Sequence, residues 1–138
     1  MRKFFALLAA VLVVLTAAGC STEADDAAMA AKYQAAVSAL PHVVRVEASY
    51  RTNVGMGRTA SLVLHADTDD ETELKAVLAA AFPAVVKAAE GDPNVSLPLQ
   101  VVPASGGDTV GPESLGYTGT GTLESYREFL AAHPALRR

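Results

Sequence analysis

The chain has 138 residues, enough for one domain with short appendages, and its formal net charge at pH 7 is −4. An acidic chain lacks the basic surface that binds nucleic-acid phosphates, so we expect no nucleic-acid partner. The single cysteine excludes a disulfide within the chain, and the absence of tryptophan indicates a small core built largely from Ala and Val.

The first nineteen residues have the three parts of a secretion signal. Arg2 and Lys3 form a charged start, Phe4 to Leu15 is an apolar run without a charge, and residues 16–19 form a small-residue cleavage region. The apolar run is shorter than the about 20 residues that a transmembrane helix needs. We therefore predict that residues 1–19 are a signal peptide that is removed on export.

Ala17, Ala18, Gly19 and Cys20 resemble the lipobox of bacterial lipoproteins, although the commonest lipobox has Leu in place of Ala17. The resemblance implies cleavage between Gly19 and Cys20 and attachment of diacylglycerol to the Cys20 thiol, often with a further acyl chain such as palmitate on the new amino group. Two or three acyl chains hold a protein stably on a membrane. The expected location is the extracytoplasmic face of the cell membrane. The alternative is an ordinary secretion signal that leaves a cysteine beside the cut.

The mature chain is predicted to begin with a polar tether over residues 20–26, followed by a helix. Apolar side chains recur there at helical spacing, and Pro41 ends the pattern because the residue before proline disfavours helical geometry. The predicted apolar stripe consists of Met29, Tyr33, Val37 and Leu40.

Two strands with alternating apolar and polar residues come next, joined by a turn over residues 53–57. Gly55 and Gly57 permit positive φ in that turn and leave Met56 at its tip. The pattern predicts a β-hairpin with one dry and one wet face. The predicted inward residues are Val44, Val46, Ala48, Tyr50, Ala60, Leu62 and Leu64. The predicted outward residues are Arg45, Glu47, Ser49, Arg51, Thr59, Ser61 and His65, together with Val63, which is an apolar exception to the pattern.

A second helix and a third strand follow the hairpin. Thr68 with Glu71 three residues later matches a capping box, and Gly91 is a natural C-cap. Pro83 falls inside the helical pattern, which predicts either a kink or two abutting helices. The third strand, over about residues 95–102, contains Pro98 and is therefore predicted to be an edge strand or a bulged one.

Residues 104–121 are rich in Gly, Ser and Thr and predict a loop or flexible linker. Residues 122–138 form a short C-terminal helix, capped by Thr122, and a tail. The fold class is therefore α+β: an αββαβ sandwich over residues 27–103, with two helices on one face of a three-stranded sheet, plus the C-terminal helix.

This element order resembles the small αββαβ modules of envelope proteins, such as the BON domain and the ring-building modules of secretion systems. The composition is similar to that of the short, alanine-rich lipoproteins of high-GC Gram-positive bacteria. The first likeness implies a fold and the second a location, and neither assigns a function.

Carboxylates before the second helix are the residues closest to a metal-site pattern, because hard cations bind several carboxylate oxygens. The alternative is that they cap the helix and cover its solvent face. These candidates are Asp67, Asp69, Asp70 and Glu71. The three histidines lie in different elements without metal-ligand spacing. The glycines over residues 116–121 lack the preceding strand and following lysine of a phosphate loop. We predict no catalytic residue and no cofactor.

The first functional hypothesis is a non-catalytic binding or scaffolding module, bound to the membrane through Cys20 and to an envelope protein. Its candidate contacts are Met56, Arg45 and Arg51, and the strand edge beside Pro98 is expected to accept a partner strand. The second hypothesis is a protein that binds a small ligand or a divalent metal. The third is a hydrolase of cell-wall material, which requires a cleft lined by two ionisable groups with shifted pKa values.

Overall fold

Three α-helices and a three-stranded sheet make up residues 21–138, the part of the chain that the computed structural model describes. The predicted signal peptide and Cys20 lie outside these residues. In chain order the elements are α1 (Ser21–Val37), β1 (Val43–Asn53), β2 (Gly57–Ala66), α2 (Glu71–Ala88), β3 (Leu99–Val102) and α3 (Leu123–Ala132), with single 3-10 turns at Pro112–Leu115 and Pro134–Arg137. The α+β class and the αββαβ order with a C-terminal helix are therefore confirmed.

The sheet is mixed, with β2 in the centre. β1 and β2 form the predicted antiparallel hairpin, and β3 pairs in parallel with β2 on the other side. The parallel pairing follows from α2, which carries the chain back across the sheet between β2 and β3. The helices cover the face that buries Leu62, Leu64, Leu99 and Val101.

A β-bulge near the start of β1 changes one predicted orientation. Val43 pairs with Ala66 while Arg45 pairs with His65, so Val44 is an extra residue in β1. Val43 takes the inward position and Val44 is 65% exposed. The prediction that Val44 faces inward was therefore wrong, because strict alternation does not hold across a bulge.

The first helix begins earlier than the sequence pattern indicated. Residues 21–26, predicted as a tether, are helical, and Asp26 accepts hydrogen bonds from the Thr52 N–H (2.9 Å) and hydroxyl (2.7 Å). Tyr33 and Val37 of the predicted stripe are buried. The helical residues before the stripe are thus attached to the end of β1 rather than forming a free tether.

The second helix has a different N-cap from the predicted one. Asp70 is the N-cap, and its carboxylate accepts the Glu73 N–H at 2.9 Å. Thr68 lies before the helix, where its hydroxyl hydrogen-bonds the Glu73 carboxylate and accepts the Asp70 N–H. The box spacing occurs twice in this acidic run, and the structure caps the helix at the later position. No reciprocal box forms there, because the Glu73 side chain bonds Thr68 and the Asp70 N–H donates to the Thr68 hydroxyl. The helix continues through Pro83 as one element.

Pro98 shortens β3. The Leu62 N–H donates to the Pro98 carbonyl at 3.0 Å, so Pro98 faces the central strand, where its missing N–H removes one ladder hydrogen bond. Regular pairing begins only at Leu99, although Ser96 still bridges to Thr59.

The outer edge of β3 is covered by the chain that follows it. The Leu97 N–H donates to the Gly121 carbonyl at 2.8 Å, and Val101 and Val110 exchange two hydrogen bonds of 2.9 Å. The expectation of an open edge beside Pro98 for a partner strand was wrong, because residues 104–121 fold back onto that edge.

The C-terminal part of the chain completes the core. Phe82 of α2 lies among three aromatic rings, with centroid distances of 4.6 Å to Tyr126, 5.6 Å to Phe129 and 5.8 Å to Tyr117. The Tyr126 hydroxyl donates to the Leu97 carbonyl at 2.5 Å. α3 lies within the predicted segment 122–138 and has the predicted Thr122 cap. Residues 104–138 therefore belong to the same core as the sandwich.

Candidate functional site

The uncovered side of the hairpin is a surface of polar side chains from two strands. We call it the polar face and define it as Arg45, Glu47, Ser49, Arg51, Thr59, Ser61 and His65. Alternate residues of a strand point the same way, so opposite residues on β1 and β2 form cross-strand pairs on this face, and in three of these pairs both side chains are polar. The pairs are Arg45 with His65, Ser49 with Ser61, and Arg51 with Thr59.

One end of the polar face holds an ionic cluster. The Arg45 guanidinium lies 2.6 Å from the Glu47 carboxylate and 3.0 Å from His65 Nε2. His65 Nε2 is also 3.0 Å from the same Glu47 oxygen, which makes a triangle of three side chains. Arg45 and Glu47 are 61% and 54% exposed, so the cluster is open to solvent and to a partner.

The middle of the polar face has hydroxyl groups instead of charges. Ser49 and Ser61 are hydrogen-bonded at 2.8 Å across the strands, and Asn53 donates to the Thr59 hydroxyl at 3.4 Å nearer the turn. The sequence pattern correctly placed these residues on one face. Their hydrogen-bonded pairing depends on the register of the hairpin, which the sequence did not specify.

The turn of the hairpin is an exposed apolar tip. Gly55 and Gly57 have φ of +78° and +87°, as predicted for this turn. Val54 is 96% exposed and Met56 is 87% exposed, which makes them the most exposed large apolar side chains in residues 21–138. Arg51 lies on the polar face near this tip, whereas Arg45 lies at the other end of β1.

The four carboxylates considered as metal ligands are each engaged by a different partner. Asp69 accepts the Ser105 N–H at 2.8 Å, which lowers its pKa below the usual value. Asp70 caps α2, and Glu71 pairs with Lys75 at 2.6 Å. Within residues 21–138 no three acidic, histidine or cysteine side chains converge in a way that would hold a metal ion.

Asp67, the fourth of these carboxylates, pairs with a histidine that sequence reasoning did not connect to it. His42 Nδ1 lies 2.8 Å from the Asp67 carboxylate, and His42 Nε2 lies 3.9 Å from the Glu73 carboxylate. The hydrogen bond to Asp67 raises the pKa of His42 above 6.5. The two residues are 25 positions apart, and only the hairpin between them brings them together.

Protonation of His42 is expected to stabilise the folded chain at acidic pH. Because the His42 pKa is higher in the folded than in the unfolded chain, this contribution is present below about pH 6.5 and is lost as the pH rises through the folded pKa. An NMR titration of the imidazole signals should give a midpoint above 6.5 that falls in Asp67→Asn. A midpoint that Asp67→Asn leaves unchanged would contradict the pairing.

The glycine-rich segment before α3 is packed around Tyr117. The Tyr117 hydroxyl accepts the Gly121 N–H at 2.7 Å and hydrogen-bonds the Ser125 hydroxyl at 2.5 Å. A Cβ at Gly119 would lie 2.5 Å from the same hydroxyl, so only glycine fits there. Gly119 and Gly121 therefore pack against Tyr117 rather than forming an open anion site.

A cleft of about 590 Å³ lies between the end of α2 and α3, within the size range of small-ligand pockets. Lys87, Arg127 and Arg137 line it together with Glu90 and Asp92, so its charges are mixed. Both arginines already bond helix-end carbonyls: Arg127 donates to Ala89 at 2.7 Å and Arg137 to Leu130 at 2.9 Å. No sequence motif indicated this cleft, because its residues come from distant parts of the chain.

Two further observations concern attachment and kinship. Within residues 21–138, no helix combines the length and the apolarity needed to cross a membrane. The lipobox residues, including Gly19 and Cys20, lie outside the described part of the chain. Comparisons of the chain with protein-family models, with curated proteins and with solved structures found no match.

Proposed function

We propose that the chain is an extracytoplasmic lipoprotein, anchored to the cell membrane through Cys20, whose polar face binds an envelope protein without catalysing a reaction. The lipobox resemblance at Ala17 to Cys20 supports the anchor. The polar face supports the binding role. The binding role is argued from the folded part of the chain, whereas the anchor is argued from the lipobox resemblance alone.

The observation that carries the binding role is that the helices lie on one side of the sheet and leave the other side open. β1 has 11 residues and therefore offers a strip about 34 Å long. Seven polar side chains stand along this strip and its partner strand, and no described segment packs over them. A long, uncovered polar surface of this kind is suited to binding a partner protein.

The chemistry of the polar face indicates the kind of partner. Arg45, Glu47 and Arg51 carry charges of both signs, and the serines between them both donate and accept hydrogen bonds. Such a mixed surface suits a reversible contact with a polar protein surface rather than a permanent hydrophobic interface. Arg51 is the side chain best placed for a new ion pair, because it is exposed and lies outside the Arg45–Glu47–His65 cluster.

The anchor is tested by changing Cys20. We expect the wild-type chain to fractionate with membranes and to carry diacylglycerol on Cys20 by mass spectrometry. Cys20→Ala should remove the lipid and release any processed chain from the membrane, because no acyl chain then holds it. Ser21→Ala, beside the lipobox cysteine, is the matched control and should leave lipidation unchanged. A processed Cys20→Ala chain that stays on the membrane would overturn the anchor.

The polar face is tested by photo-crosslinking in cells. A photoreactive residue in place of Ser49, at the centre of the face, should give one reproducible protein adduct. The same residue in place of Glu128, on the exposed side of α3, should not give that adduct. Arg51→Glu should reduce the Ser49 adduct by reversing a charge at the contact. Equal labelling from positions 49 and 128, or no protein adduct from position 49, would count against the proposal.

A small ligand in the cleft between α2 and α3 is the second candidate, favoured by the size of that cleft. It predicts that calorimetry of residues 21–138 with anionic metabolites gives a heat of binding that Lys87→Ala abolishes. The protein-partner proposal predicts no such heat.

A further inference from the structure

We propose that the hairpin tip, Val54 to Met56, is a second membrane contact that inserts into the lipid interface beside the acylated Cys20. The inference rests on the proposed lipid anchor. It specifies in addition which part of the folded domain contacts the bilayer. Its basis is that the exposed apolar tip and the start of the described chain lie at the same end of the molecule.

The position of the chain start follows from contacts of α1. Asp26 holds Thr52 by two hydrogen bonds, of 2.9 and 2.7 Å, so this turn of α1 lies beside the end of β1. Thr22, one turn earlier, lines a cleft together with Tyr50, Thr52 and Arg58 of the hairpin. The first turn of α1 is therefore adjacent to the outer part of the hairpin.

The directions of α1 and β1 place the start of α1 and the hairpin tip at the same end of the molecule. Asp26 near the start of α1 bonds Thr52 near the end of β1, and only residues 38–42 separate the end of α1 from the start of β1, so the two elements run antiparallel. Going backwards from Asp26, α1 advances about 7.5 Å to reach Ser21 at a rise of 1.5 Å per residue. Going forwards from Thr52, β1 advances about 7 Å to reach Val54. A lipid on the residue before Ser21 thus brings the tip to the membrane surface.

The chemistry of the tip suits the lipid interface. Val54 and Met56, on either side of Gly55, are 96% and 87% exposed, an unusual state for two large apolar side chains in one turn. Nearby charges do not favour acidic lipids. The Asp26 carboxylate lies near Arg51 and Arg58, and Glu23 and Asp25 line the same clefts as these arginines. The contact is therefore apolar, and we expect it on neutral lipids and at high salt alike.

Two apolar side chains alone bind a bilayer weakly. The acyl chains on Cys20 change this, because they keep the tip at a high effective concentration next to the lipid. The tip then fixes the orientation of the domain, with the long axis of the hairpin pointing away from the membrane. The polar face would stand upright, accessible from the side.

The experiment uses a single tryptophan as a probe, since the chain has none of its own. The lipidated full-length product with Met56→Trp is purified from membranes and reconstituted into phosphatidylcholine vesicles. We expect its emission to shift to the blue and to be quenched by lipids brominated on their acyl chains. Val44→Trp is the matched control, because Val44 is exposed on the same strand but about 30 Å from the tip. Its emission should stay that of a water-exposed tryptophan.

A second variant separates insertion from the affinity of tryptophan for membranes. Val54→Asp in the Met56→Trp chain should abolish the quenching, whereas Val54→Asp in the Val44→Trp chain should change nothing. Equal, water-like emission from positions 44 and 56 on vesicles would overturn the inference. A protein adduct from a photoreactive residue at position 56, without a lipid adduct, would overturn it in favour of a protein contact.

Failure of the anchor is read separately from failure of the tip. The intact mass of the same sample reports whether Cys20 carries lipid. If Cys20 carries no lipid, the proposed anchor fails. The free Cys20 thiol is then coupled to a maleimide lipid, so that the hairpin tip is still held next to the bilayer while its insertion is measured. Quenching at position 56 in that sample supports the tip, and its absence overturns the tip.

Discussion

Replacement of Phe82 by alanine is expected to lower the free energy of unfolding by about 3–5 kcal/mol. Phe82 is 1% exposed, and its ring contacts the rings of Tyr117, Tyr126 and Phe129. The substitution leaves a cavity where α2 packs against α3 and the loop that precedes α3. Urea denaturation of residues 21–138, followed by circular dichroism, measures the change.

The matched control is Met56→Ala, which removes a large apolar side chain that is 87% exposed. It should change the free energy of unfolding by no more than about 0.5 kcal/mol. A loss below about 1 kcal/mol for Phe82→Ala would contradict the description of one shared core, because a buried ring cannot be removed so cheaply.

A chain that ends at Pro103 is expected not to fold, although it contains the whole αββαβ sequence pattern. It lacks five buried aromatic and leucine side chains, each of which stabilises the fold by about 1.5–3 kcal/mol when fully buried. That loss is comparable with the about 5–15 kcal/mol by which whole domains are stable. The missing residues are Tyr117, Leu123, Tyr126, Phe129 and Leu130. A proton–nitrogen NMR spectrum of the shortened chain should show collapsed amide dispersion.

A chain that ends at His133 is the control, because it is also shortened but keeps the five buried side chains. It loses the last 3-10 turn and the hydrogen bond from Arg137 to the Leu130 carbonyl, a cost of about 1 kcal/mol. Its spectrum should remain that of a folded protein. If the chain ending at Pro103 also gives a dispersed spectrum, the sandwich folds alone and α3 is an accessory.

Local sequence patterns predicted the elements correctly where only one local structure fits the pattern. The alternation in β1 and β2 predicted the hairpin and its wet face, and Thr122 predicted the start of α3. Where two local solutions compete, the pattern was insufficient. Thr68 and Asp70 both have an acidic residue three positions later, and Asp70 caps the helix because Thr68 is held outside it by hydrogen bonds to Asp70 and Glu73.

The positions of the predicted contact residues agree with the structure, and their role as contacts stays a prediction. Arg45 and Arg51 do lie on the polar face, and Met56 is at the exposed tip. The pairing of His42 with Asp67 and the cleft beside Arg127 were not foreseen, since both join residues that are far apart in sequence. The spacing of charged residues predicts which side chains are neighbours within one helix or strand. It does not predict which helices and strands pack together.

By itself the sequence determined the class of the fold, the two-sided character of the hairpin and the expectation of a lipid on Cys20. These follow from periodicity and from a short local motif, which need no knowledge of distant contacts. Only the tertiary structure decided that residues 104–138 close the core and cover the β3 edge. It also decided that the hairpin tip lies beside the start of α1. The reason is that such relations depend on how α1, α2 and α3 pack on one sheet, which is a balance of burial over the whole chain.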